Sequence, residues 1–167
     1  IPSIVYGLFG FLLFVTTLGF GYSLLAGALT LSIMILPVIM RTTEEALISV
    51  PDSYREGSLG LGAGKLRTIF KIILPSAIPG ILAGVILSVG RIVGETAALI
   101  YTAGSVAQIP DNLMGSGRTL SVHLYALWTE GLNTEQSYAT AVVLLIMVIG
   151  LNTLSAFVAK RLGRGKA

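Results

Sequence analysis

The first forty residues of the chain carry no charged side chain, and two further uncharged runs follow at Ile72 to Gly90 and Ser137 to Ala159. A hydrocarbon layer about 30 Å thick needs about 20 apolar residues in helical form to cross it. Unpaired backbone groups are so costly in lipid that only helices and closed barrels span it. These runs far exceed the roughly 10 alternating residues of a membrane strand. The chain therefore reads as all-α, a polytopic transmembrane helix bundle. Composition agrees, with 11% charged residues and a mean hydropathy of +0.87, where soluble domains carry about 25% charge.

Forty uncharged residues are too many for one crossing, and Gly19-Phe20-Gly21-Tyr22 is the natural break. The expected spans are about 5–18, 23–40, 76–101 and 137–159, with a charged insert at 44–75 and an outer segment at 102–136. Pro2 stands where a helix starts, and Pro37 lies near the end of the second span. The chain opens at Ile1 with no basic flank or cleavage pattern, so it reads as the C-terminal part of a longer protein. With no cysteine, thiolate metal sites and disulfides are excluded within these residues.

Sidedness follows from Lys and Arg alone. Five (Arg41, Arg55, Lys65, Arg67 and Lys71) lie at 41–71, four (Lys160, Arg161, Arg164 and Lys166) lie in the tail, and Arg118 is the only one at 111–136. Two spans separate insert from tail, so parity puts both on one side. The insert and tail are expected in the cytoplasm and the outer segment outside. The net charge of +3 thus belongs to membrane flanks rather than to a nucleic-acid surface. Within the outer segment, residues 119–129 suggest a short interfacial helix with Tyr125 and Trp128 at headgroup level, and the lone His123 reads as a surface or interfacial residue. No internal repeat is visible.

The insert Glu44–Pro75 holds eight of the nineteen charged residues. Asp52 or Ser53 is placed to cap a helix over about 54–61, with Glu56 completing a capping box. Gly60, Gly62 and Gly64 break it. A second helix over 65–73 carries Leu66, Ile69, Phe70 and Ile73 at helical spacing, and Pro75 marks a turn back into the membrane. Helices this short are marginal alone in water, so the insert reads as a docking element for a cytoplasmic partner. Its basic residues also suit a lipid surface. Gly62-Ala63-Gly64-Lys65 is no phosphate loop: Leu59 stands where the first glycine is needed, and Leu66 follows the lysine.

Spacing in this insert resembles the signature loop of ABC-importer permeases, E-A-A-x3-G-x9-I-x-L-P. Glu56, Gly57 and Ser58 stand for the first three positions, Gly62 for the glycine, and Ile72, Leu74 and Pro75 for the close. Glycine and serine replace the two alanines. The resemblance implies a MetI-like permease fold, incomplete at its N-terminus, whose insert is the coupling helix seated on a cytoplasmic ATPase.

Arg91 and Glu95 are charges inside an apolar run, four residues apart and so able to pair on one helix. Arg91 lies sixteen residues past Pro75, about 24 Å along a helix at 1.5 Å per residue. An intramembrane charge faces a bundle interior or a wet cavity; the alternatives are a structural ion pair or the outer interface. Glycines Gly80, Gly84, Gly90 and Gly94 recur at four-residue spacing with Ser88 and Ala98, a pattern for close helix approach within this chain or between subunits. Asn152 and Thr153 in the last span read as helix–helix hydrogen bonders.

Arg91-x-x-Gly94-Glu95-Thr96 resembles the R-x-x-G-E-T motif of the phosphate-specific Pst permeases. The continuation through Ala103 and Tyr138 to Ala141 look like the PstA type, while Pro2 to Gly7 is similar to a segment of both the PstA and PstC types. That family likeness implies a PstC-like second permease, ATPase subunits holding ATP and Mg, and an extracytoplasmic phosphate-binding protein, all meeting this chain in the membrane. Arg91, Glu95 and Thr96 would line an anion path. The chain would bind no cofactor and supply no hydrolytic residue. The rivals are a permease for another oxyanion such as molybdate or sulfate, and a membrane scaffold or sensor that docks a signalling protein. An intramembrane enzyme lacks any nucleophile–base or metal-ligand set in this sequence.

Overall fold

In a computed structural model, which describes residues 1–131 and 133–164, every regular element is helical. Lys166 and Leu132 lie outside the described residues. The helices are α1 (Ser3–Thr17), α2 (Leu24–Ile48), α3 (Asp52–Gly60), α4 (Lys65–Val93), α5 (Ala97–Thr102), α6 (Leu120–Glu130) and α7 (Thr134–Arg164). Among the described residues α2, α4 and α7 are long and apolar enough to cross a membrane. Helix α1 is shorter, and its second half, Phe11–Thr17, is wound as a π-helix.

On either side of the insert the helices run beyond the expected spans. Helix α2 continues past Met40 to Ile48, because its apolar face continues with Ala46 and Leu47 and Arg41 pairs with Glu45 one turn on (3.3 Å). Charge marks where lipid stops, and the helix does not have to stop there. At the other side of the insert no turn forms at Pro75. Helix α4 starts at Lys65 and runs through Pro75 and Pro79. A proline ring collides with the carbonyl four residues earlier. The π-wound turn Ile69–Ile73 immediately upstream widens the helix where that clash would fall.

Contacts group the chain into two compact units, Ile1–Leu36 with Gly90–Leu151, and Pro37–Val89 with the chain from Asn152. In the first, α1 lies so close to α5 that a Cβ on Gly7 would come within 2.9 Å of the Ala98 Cα. A Cβ on Gly10 would run into the Thr30 side chain and meet the Thr102 methyl at 3.0 Å. Leu99, Ala103 and Val122 form the core. The first amides of α2, which have no helical partner, donate to the loop before α6: Leu24 to Gly115 O (3.0 Å) and Leu25 to Leu113 O (2.9 Å). The helix expected at 119–129 is α6, capped by Thr119 and ended by Gly131 at φ 66°.

The second unit closes around Ala46, Val50, Ile73 and Ala77. Here the small-residue spacing finds its meaning inside the chain. A Cβ on Gly80 would meet the Ala46 Cβ at 2.7 Å, and one on Gly84 would run into the Thr42 side chain. Gly84→Val should therefore lower the yield and melting temperature of the assembled protein in detergent, since overpacking costs about 1–3 kcal/mol. Gly150→Val, on the open face of α7, should leave both unchanged.

Candidate functional site

In the second unit, the insert is a helix, a glycine turn and the start of α4. The expected capping box is absent. Pro51 occupies the cap position with no side-chain bond, and Asp52 instead binds Arg55 Nη1 (2.9 Å). Arg55 is the better competitor because it serves two ends: its Nη2 also donates to Leu47 O (3.1 Å), a carbonyl in the last turn of α2 that has lost its helical partner. The turn itself depends on Gly62 at φ 82°, where a side chain would be strained.

The signature positions separate by role. Ser58 is buried, and its hydroxyl lies 2.9 Å from Thr68 Oγ1. Thr68 spends its own proton on Gly64 O (3.2 Å), so Ser58 donates and Thr68 accepts. Ile72 packs against the Ala46–Ala77 cluster, and Leu74 and Pro75 are half-buried. The Ser58–Thr68 contact ties α3 to α4, and Ile72 ties α4 to the core of the unit. Gly57 and Glu56 make no such tie: both are exposed, and a Cβ on Gly57 would meet nothing within 4 Å. Around them Tyr54, Leu59, Leu61, Leu66, Ile69 and Phe70 are exposed, Leu61 at 91% and Leu66 at 72%. A cleft of about 450 Å³ lies between Leu47, Arg55, Leu59, Lys65, Thr68, Ile69 and Ile73. Apolar exposure on this scale marks a surface that something covers.

In the first unit, the residues of the second motif meet at a break. The span expected to run to residue 101 stops at Val93 and restarts as α5 at Ala97. The Arg91–Glu95 pair is consequently not formed. Arg91 is exposed in the last turn of α4, while Glu95 is 8% exposed and its Oε1 accepts from Ala98 N at the start of α5 (3.2 Å). Pairing at i,i+4 requires a continuous helix, and here the carboxylate is used to restart one. Thr96 occupies the cap position of α5, its hydroxyl donating to Gly94 O (3.3 Å). Ser121 of α6, 4% exposed, donates to the Glu95 carbonyl at 2.6 Å. Thr96 and Ser121 share a cleft of about 380 Å³ with Leu124, Tyr125 and Trp128.

Ser121 was not legible as a site residue; no periodicity ties it to a carbonyl 26 positions earlier. His123 is half-buried. It accepts at Nδ1 from Arg118 Nη1 (3.0 Å), since a guanidinium only donates, and Arg118 Nε holds Ser105 O (2.5 Å).

Three helices long and apolar enough to cross a membrane, joined by a charged helical insert, mark an integral membrane protein. Residues 1–167 match the binding-protein-dependent transport system inner membrane components, and the chain belongs to that family. A probable ABC transporter permease protein of Bacillus subtilis, YqgI, is 39% identical over 91% of this chain and 57% of its own length. The phosphate transport system permease protein PstA of Mycobacterium leprae is 40% identical over 93% of the chain and 52% of its own. The PstA homolog of Mycoplasma pneumoniae is 37% identical over 93% of the chain and 25% of its own. The chain thus spans about half the length of the first curated relatives it matches. No solved structure matches it.

Proposed function

We propose that this chain is part of the permease of an ATP-driven phosphate importer, moving the anion through the membrane while a cytoplasmic ATPase supplies the energy. The observation that carries this is the exposed Arg91 beside the buried, separately engaged Glu95. A guanidinium without its acid is a cation left for an incoming anion. Relatives named phosphate transport system permease support phosphate over sulfate or molybdate. Glu95 holds or gates the path, and Thr96 lines it.

The insert, with Glu56, Gly57, Ser58, Gly62, Ile72, Leu74 and Pro75, couples the ATPase to the spans. Its exposed apolar residues seat in that partner and Glu56 meets a basic group there. The positive-inside count puts insert and tail in the cytoplasm. A PstC-like permease completes the pathway, an extracytoplasmic binding protein delivers phosphate, and ATP with Mg resides in the ATPase. The chain itself contributes no hydrolysis and needs no cofactor. Its most apolar helix, α7, buries none of its central window, leaving that face to lipid or to another span.

The test is uptake of labelled phosphate by proteoliposomes carrying the complete assembly. Accumulation should require both ATP and the binding protein. Accumulation without ATP, or none with every component present, would remove the reading.

A further inference from the structure

The break in the span leaves two backbone groups to be satisfied. In an unbroken helix the Glu95 carbonyl would accept from Leu99 N and the Ala98 amide would donate to Gly94 O. Here Leu99 N donates to Thr96 O (3.2 Å), as does Ile100 N (3.1 Å). Ala98 N goes to the Glu95 carboxylate. The stranded carbonyl is taken by Ser121 at 2.6 Å, in a place where both residues are more than nine-tenths buried. Leaving a buried carbonyl unpaired is costly, so Ser121 decides whether the break can persist.

The proton directions follow from counting. Ser121 has one hydroxyl proton and spends it on Glu95 O. Its contact with Thr119 Oγ1 (3.1 Å) must then be donated by Thr119, which in turn accepts from Val122 N (3.4 Å) as the cap of α6. A one-way chain thus runs from the first turn of α6 through Thr119 and Ser121 to the broken span.

We infer that Ser121 is a positioning residue that holds the span open at Glu95 and so keeps the Glu95 carboxylate off Arg91. Without its hydroxyl the Glu95 carbonyl can be satisfied within the chain only by Leu99 N. That closes the break, restores a continuous helix, and brings Arg91 and Glu95 into i,i+4 register. The pair then neutralises the cation that an anion needs. Thr119 and α6 thereby set the availability of Arg91. This rests on the reading of Arg91 as the anion-facing group.

The experiment uses the complete importer in proteoliposomes, with phosphate uptake, ATPase activity and assembly measured together. Ser121→Ala and the near-isosteric Ser121→Cys, a poor donor, should lower uptake about tenfold with assembly intact, and Ser121→Thr should restore it. In a Glu95→Gln background, where the carboxylate is already gone, Ser121→Ala should cost nothing more. An equal further loss in that background, or failure of both Ser121→Ala and Ser121→Cys to assemble, makes the hydroxyl merely structural and overturns the inference. Normal uptake by Ser121→Ala while Arg91→Gln is impaired overturns it and leaves the anion site standing. Normal uptake by Arg91→Gln removes the anion site, and Ser121 with it.

Discussion

Arg91→Gln should reduce phosphate uptake about ten- to hundredfold while the protein still assembles in the membrane and its partner ATPase still turns over. Charge-assisted hydrogen bonds contribute about 1.5–3 kcal/mol, and each 1.4 kcal/mol is a factor of ten. Glutamine keeps two N–H donors on a shorter side chain but loses the charge. Arg91 is exposed and has no ion pair among the described residues, so no buried partner is orphaned by its removal. That separates this change from a folding defect. Uptake rate and extracted complex, measured on the same membranes, distinguish the two. Arg91→Lys, which keeps charge but not the planar fork, should fall between.

The second large effect is expected at the insert. Glu56→Lys should bring uptake to background without unfolding the insert, because Glu56 is exposed on α3 and takes no part in the Ser58–Thr68 contact or the Gly62 turn. Reversing a charge at a docking surface replaces attraction by repulsion, and losing one partner of a buried charge pair costs about 2–5 kcal/mol. The signature is ATP hydrolysis that persists while transport stops, or an ATPase that no longer co-purifies. Gly57→Ala makes the opposite control. Nothing crowds that position, and alanine favours helix by about 1 kcal/mol over glycine, so uptake should hold.

How far the chain could be read in advance depended on what kind of information each feature carries. Uncharged length alone located the three long apolar helices, because lipid admits little else. The insert's helix–turn–helix was legible from Gly60 to Gly64 and from the 3–4 spacing of Leu66, Ile69, Phe70 and Ile73. Helix ends were not. Arg41 ends the uncharged stretch, yet α2 continues for two more turns because Ala46 packs in the core of its unit. Pro75 looks like a stop and is absorbed by a π-wound turn. The capping box expected at Ser53–Glu56 does not form: Pro51 takes the cap position and Arg55 engages Asp52, its second bond to Leu47 O being a tertiary fact with no local trace.

At the second motif the spacing of Arg91 and Glu95 pointed to a pair, and the break at Gly94–Thr96 separated them. The stabilising partner, Ser121, comes from a helix far along the chain. Sequence reasoning found the charged residues because charge in an apolar run is expensive. It missed the neutral hydroxyl because a serine near a helix start is ordinary.

The most direct measurement is substrate competition during ATP-dependent uptake by the reconstituted assembly. Excess unlabelled phosphate should suppress accumulation of labelled phosphate, while equal excesses of sulfate and molybdate should not. Suppression by sulfate or molybdate as strong as that by phosphate, or ATP-driven accumulation of either in place of phosphate, would contradict a phosphate importer.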